Sequence, residues 1–186
     1  NLGNALFKAG KTGRAIAAYQ RAFDLAPRDS DIRQNLDFAL RRAGDELVPS
    51  DVPPLLFRLF HFFSRRELAG LHWVFCWAAL FLAGFWLLRE GLRPSLTTPT
   101  AWVLGFWLLF GAWWATRFAL APLSRGVIVS EAAELRSGPG PNFSVGLTAP
   151  EGRRVEVLSE SGSWLEVAIL KEGAKGWIQA EAVERL

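Results

Sequence analysis

The sequence predicts a multi-domain chain of three unlike parts: a short α-helical hairpin, two membrane-crossing α-helices and a small all-β barrel. Three observations carry this. The stretch NLGNALFKAG (Asn1–Gly10) returns as NLDFALRRAG (Asn35–Gly44), with six of ten positions identical at an offset of 34 residues. Two apolar runs, Leu68–Leu88 and Ala101–Ala115, contain no charged residue, and the first has about the 20 residues a helix needs to cross a bilayer. From Val127 onward, apolar residues alternate with polar ones between Gly- and Pro-rich turns, the period of half-buried strands.

Residues 1–44 form the helical part. Gly3 and Ala15 allow two helices to cross closely, while Leu2, Leu6, Ile16, Tyr19 and Phe23 are expected to fill the seam. Pro27 cannot continue a helix. Asp29 or Ser30 can cap the next one, and Gly44 suits its end. The period, with Leu2, Gly3, Leu6, Ala15, Tyr19, Ala22 and Pro27 as its packing motif, resembles the tetratricopeptide repeat, a helix-turn-helix unit. That resemblance implies about one and a third repeats, more of them upstream of Asn1, and a terminal cap helix over residues 30–43. Such repeats line a concave surface that holds a partner protein or peptide. For the residues present, the expectation is a solvating end that binds nothing, its outer face carrying Asp31, Arg33, Gln34, Asp37 and Arg41. The chain has no Met, so translation is expected to begin upstream or the chain to be a processed piece.

Residues 45–54, with three Pro, read as an extended linker. Residues 55–67 are apolar, broken by Arg58, His61, Arg65 and Arg66; they suit either a short helix in the membrane interface or an extension of the first crossing. The crossings are assigned to 68–88 and 101–121, joined by a short loop over 89–100 and followed by a linker over 122–126. Seven of nine Trp lie in or beside these runs, as ring amphipathicity favours at a membrane surface, and Arg117 is expected to snorkel to the head groups. Small residues recur at helical spacing (Cys76, Ala79 and Ala83 with His72; Ala101, Gly105, Ala112 and Ala115), which fits either a tight antiparallel pair in lipid or the general abundance of small residues in membrane helices.

Charge divides along the chain. Residues 1–46 carry net +2, 47–126 net +4 and 127–186 net −3, summing to +3. The basic excess therefore flanks the apolar runs, which anchors a membrane segment and argues against nucleic acid as a partner. One Cys, Cys76, and two His, His61 and His72, leave no intrachain disulfide, no Cys/His metal set and no nucleophile paired with a base. SGPGPN lacks the Lys of a phosphate-binding loop. The chain thus reads as non-enzymatic and without a cofactor.

Residues 127–186 are read as the barrel. Leu135, Arg136, Ser137, Gly138, Pro139, Gly140 and Asn142, then Gly152, Val155, Val157, Gly162, Trp164 and Val167, then Gly176, Trp177 and Ile178 resemble a bacterial SH3 domain. The resemblance implies a binding module for envelope polymers or peptides. Arg136, Phe143, Trp164 and Trp177 are its candidate contacts, one cation with an aromatic groove, although Trp177 is also expected to plug the barrel core. The full set of parts resembles the BatE-like proteins of aerotolerance operons. That resemblance implies a scaffold in the bacterial inner membrane, beside von Willebrand A-type membrane proteins and an AAA ATPase. Two alternatives stay open: the wall-binding, membrane-anchoring part of a cell-wall enzyme, or an envelope sensor. Counting Arg near the membrane puts both soluble parts in the cytoplasm, the resemblance puts them in the periplasm, and the periplasm is the expectation taken.

Overall fold

The computed structural model describes residues 1–120, 124–169 and 171–186. The linker expected over 122–126 therefore falls partly outside the described residues, as does the last residue of the expected second crossing. The chain forms two compact units, Asn1–Phe62 with Pro122–Leu186, and Phe63–Ala121.

In the first unit, α1 (Leu2–Lys8), α2 (Thr12–Leu25) and α3 (Ser30–Arg42) form a helical layer. Their seam is Ala15, Ile16, Ala17, Tyr19, Phe23, Leu36, Ala39 and Leu40, all buried. Each fully buried Leu or Ile there contributes at most about 1.5–3 kcal/mol. Gly3 faces the Tyr19 ring so closely that a Cβ would sit 2.5 Å from it. The Tyr19 hydroxyl donates to Asn4 Oδ1 at 2.5 Å, and burial pushes its pKa up. Asp29 caps α3, accepting from the Asp31 and Ile32 N–H groups, and Gly44 follows its end at φ 73°, where a side chain would be strained. Leu2 does not fill the seam; it is 66% exposed. One residue before Gly3, it is rotated about 100° from the face that Tyr19 covers.

The expected linker over 45–54 is not free. Asp45 and Leu47 are buried, and Leu47 joins the helical core. The segment after it forms α4 (Pro54–Phe60), whose Phe57 ring stacks near Phe23 at 6.5 Å and on His61 at 4.2 Å. Leu55, Leu56 and Leu59 remain exposed on it. An uninterrupted extension of the next helix is ruled out, because a new helix starts at Arg65 with its own cap, described below.

The β layer is one antiparallel sheet of seven strands: β1 (Arg125–Ile128), β2 (Ala132–Arg136), β3 (Val145–Pro150), β4 (Arg154–Ser161), β5 (Trp164–Ile169), β6 (Ala174–Gln179) and β7 (Val183–Arg185), ordered β3-β2-β6-β5-β4-β1-β7. Alternation sets the inner face. Ala133 and Leu135 of β2, Leu165, Val167 and Ile169 of β5, and Ile178 of β6 pack in the core. On β6 the inward residues are Gly176 and Ile178, so Trp177 points outward and is only half-buried. Trp177 therefore does not plug the core; Ile178, 1% exposed, does. Gly176 lets β2 approach, since a Cβ there would lie 3.0 Å from the Arg136 carbonyl oxygen.

The two layers are joined into one body. At the start of α2, a Cβ on Gly13 would lie 2.2 Å from the Ile128 carbonyl oxygen, and one on Gly152 (φ 87°) 2.6 Å from Ala43 Cβ. The Gly13 N–H donates to Glu151 Oε1 at 2.7 Å, which places a carboxylate at the positive end of the helix. Arg153 donates to the Ala43 and Gly44 carbonyls, groups that the end of α3 leaves without helical partners. Arg154 pairs with Asp45 at 2.8 Å, Arg125 with Asp24 and Arg21 with Glu184. Val127 and Leu186 complete the helical core. The helical part is thus no free solvated end, contrary to expectation: the partner of its α2 and α3 is the chain's own β layer.

In the second unit, α5 (Arg65–Leu88) and α6 (Arg93–Ala119) pack against each other across a 3-10 turn, Glu90–Leu92. A capping box starts α5: the Glu67 N–H donates to Ser64 Oγ, and the Ser64 N–H donates to Glu67 Oε2 at 2.8 Å. Arg93 closes the turn, donating to the Trp86 and Leu87 carbonyls and lying 5.1 Å over the Trp86 ring. The connection is therefore much shorter than the loop expected over 89–100. Pro94 is tolerated in the first turn of α6 because the N–H it lacks has no helical partner there. Among the described residues, one helix, α5, is long and apolar enough to cross a membrane by length and composition; α6 holds four Trp, two Gly, Pro99 and Arg117 in its apolar stretch. The seam between them is aromatic more than small: Phe75 lies 5.4 Å from Phe106 and from Phe110, and His72 stacks between Trp107 and Trp114. Gly111 is the close approach, to His72, whereas Gly105 faces open space. Arg117 does not snorkel outward. It is buried and donates to the Phe63 carbonyl at 3.1 Å.

Candidate functional site

On the outer face of the sheet, β2, β6 and β5 set side chains in register. Arg136 lies opposite Trp177, and Trp177 opposite Glu166. Trp164 lies opposite Gln179 one row along. The outward alternation that excludes Trp177 from the core brings it into this row. Glu166 accepts from Ser159 and pairs with Lys175; these two partners hold its carboxyl below the usual value.

Beside that row is a groove of ≈ 590 Å³. Its walls come from Val129, Ser130, Ala132, Ala133, Glu134 and Arg136, from Pro141, Trp164, Ile178, Gln179, Glu181 and Ala182, and from Arg14 of α2. Of the four predicted contacts, Arg136 and Trp164 line it, while Phe143 and Trp177 do not. Phe143 is 46% exposed and lies over the loop after β2, where a Cβ on Gly138 would sit 2.5 Å from its ring.

Arg136 has a different task from the one its type suggests. It donates to the Pro141 and Phe143 carbonyls at 2.6 and 2.9 Å and pairs with Glu134. It buttresses the SGPGPN loop, and its charge is already matched. Sequence reasoning missed Arg14, Ser130 and Glu181. Among the described residues, the side chains of Arg14 and Glu181 have no hydrogen bond or ion pair, and Ser130 Oγ is buried without a partner. The groove thus offers a stacking surface and two free opposite charges, which suits non-covalent recognition. Among the described residues no group of three or more His, Cys, Asp or Glu is arranged to hold a metal ion.

Residues 131–184 match the model of the bacterial SH3 domain. The chain is 33% identical over 58 residues to YrvJ of Bacillus subtilis (strain 168), named as an N-acetylmuramoyl-L-alanine amidase; the match covers 31% of this chain and 11% of YrvJ. It is 28% identical over 93 residues to LytH of Staphylococcus aureus, named as a cell wall amidase; here it covers 50% of this chain and 31% of LytH. The chain therefore spans under a third of the length of these curated relatives. The C-terminal part is a bacterial SH3 domain, and it carries most of the groove.

Proposed function

We propose that this chain is the membrane-anchoring, wall-binding part of a bacterial envelope protein and is itself non-catalytic. The observation that carries the reading is the bacterial SH3 domain over 131–184, in a chain whose relatives are named for cell-wall amidases. The groove beside Trp164 is its ligand site. Anchoring falls to α5, with α6 as a second crossing. Trp73, Trp77, Phe81, Leu88, Trp102, Leu108 and Phe118 are all more than half exposed on this pair, an apolar exterior that water does not favour and lipid does. The folded unit then lies in the periplasm, at the inner membrane.

The scaffold reading, with tetratricopeptide repeats and BatE-like partners, keeps its support in the 34-residue repeat. The wall-binding reading is preferred because α2 and the end of α3 are held by the chain's own strands, which leaves less of them for another protein.

The test is co-sedimentation of the full chain, in detergent micelles, with purified cell-wall sacculi. Wild type is expected to pellet, and Trp164→Ala to bind about tenfold more weakly, since buried aromatic anchors dominate such contacts. A wild-type chain that stays in the supernatant would overturn the reading. A phosphatase fused after Leu186 reports the compartment: active enzyme is expected, and inactive enzyme would move the ligand search to the cytoplasm.

A further inference from the structure

We propose that the groove binds a zwitterionic peptide, its carboxylate on Arg14 and its amine on Glu181, so that the helical layer supplies half of the recognition. This rests on the wall-binding reading above and names the ligand class of that same site. The argument starts from charge. Four ionic side chains line the groove, Arg14, Glu134, Arg136 and Glu181. Arg136 and Glu134 neutralise each other, and Arg136 is further committed to two loop carbonyls. Arg14 and Glu181 remain, and they do not pair with each other. A ligand with one charge of a single sign would satisfy one of them and be repelled by the other, which disfavours anionic phosphate polymers. An uncharged glycan would leave both unused. A short peptide carrying a free carboxylate and a free amine satisfies both, with its apolar body over Trp164, Pro141 and Val129. A guanidinium suits the first role because its planar fork matches a carboxylate in two bonds.

The position of Arg14 is not left to a mobile surface. It follows Gly13, which is pinned by Glu151 and presses on the Ile128 carbonyl, so the backbone that carries Arg14 is fixed against β1. Arg14 itself is exposed, and its replacement leaves those contacts in place.

The experiment is calorimetric titration of the full chain in micelles with the synthetic tripeptide L-Ala-γ-D-Glu-L-Lys. Parallel arms use the same peptide with its carboxyls amidated or its amines acetylated, the all-α-linked L-Ala-L-Glu-L-Lys, and a polyglycerol phosphate; sacculus binding is measured alongside. Wild type is expected to bind the γ-linked peptide, and amidation or acetylation to weaken it at least tenfold. R14Q should lose as much as amidation and be indifferent to it; E181Q should be indifferent to acetylation. Equal binding of the all-α-linked peptide would keep the charge pair and give the ligand a protein source. If R14Q and E181Q bind within twofold of wild type, or polyglycerol phosphate binds better than the peptide, the inference is overturned. Sacculus binding without peptide binding also overturns it and leaves the wall reading intact; binding of neither overturns both. Unchanged melting of R14Q and E181Q separates lost contact from lost fold.

Discussion

The two units hold their parts together by opposite means. In the first, the helical and β layers meet through ion pairs, carbonyl bonds and two glycines against which a Cβ has no room. In the second, α5 and α6 meet through stacked rings, and polar bonds are found at the turn and the ends. The difference teaches where directional bonding is useful. Between layers with polar exteriors, hydrogen bonds and charges set one geometry among many apolar ones. Between helices already apolar all round, in the membrane proposed for them, burial gives no preference for the seam over lipid, and shape and ring stacking decide.

The sharpest way to break this contrast is the same substitution in both seams. Gly13→Ala puts a methyl 2.2 Å from the Ile128 carbonyl oxygen and 3.0 Å from Val129 Cα. Backbone on both sides cannot yield locally, so α2 must lift from β1. The expected loss is about 3 kcal/mol, the upper range for overpacking. Guanidinium unfolding of the full chain in micelles, with proteolysis of the helical layer as second readout, measures it. Unchanged stability would mean that the layers are not seated as described. Because Arg14 is the next residue, ligand binding at the groove should fall with it.

The ion pairs come next in size. Burial alone would raise the Asp45 carboxyl; the Arg154 hydrogen bond and charge, with the Glu46 N–H and the charge of Lys171, outweigh it and hold the pKa below the ordinary 3.8. A lowered pKa stabilises the fold above the ordinary value, and that contribution disappears as pH falls through the lower, folded one. Asp45→Asn should therefore cost about 1–2 kcal/mol at neutral pH, a charged hydrogen bond discounted for the partial exposure of Arg154. The gap from wild type should begin to narrow below pH 3.8 and close as pH falls through the lower, folded value. Urea midpoints followed from about pH 7 downward decide it; a gap that does not narrow at all below pH 3.8 would assign the effect to shape and not to charge.

Much of this architecture was legible in the chain. Alternation marks β4 and β5, Asp29 and Gly44 bound α3, and the uncharged run from Leu68 marks α5. What escaped has physical causes. Trp177 is expected in the core, but the two-residue period of β6, locked by Ile178, turns it outward. The helix from Arg93 was hidden by Pro94, Pro99 and the run of Ser and Thr, which read as a loop although a helix start tolerates Pro. The groove was half legible: Trp164 and Arg136 stand in the domain signature, whereas Arg14 lies far upstream, and only the +2 and −3 charges of the two parts hint that they meet. Pairing across such a separation leaves no local pattern to read.

The smallest effect sharpens the contrast most. Gly111→Ala brings a methyl 2.8 Å from His72 Nδ1, as tight as many core clashes, but its neighbour is a side chain between two Trp rings and not backbone. The ring can tilt by a few tenths of an ångström, and Ala in mid-helix regains about 1 kcal/mol of propensity over Gly. The two should nearly cancel, leaving a net change under about 1 kcal/mol. Thermal unfolding of the micellar chain, read by near-ultraviolet signals of the Trp stack, tests this. A loss like that of Gly13→Ala would mean that the α5–α6 seam is as rigidly specified as the layered one, and that aromatic stacking alone can fix a helix pair without directional polar bonds.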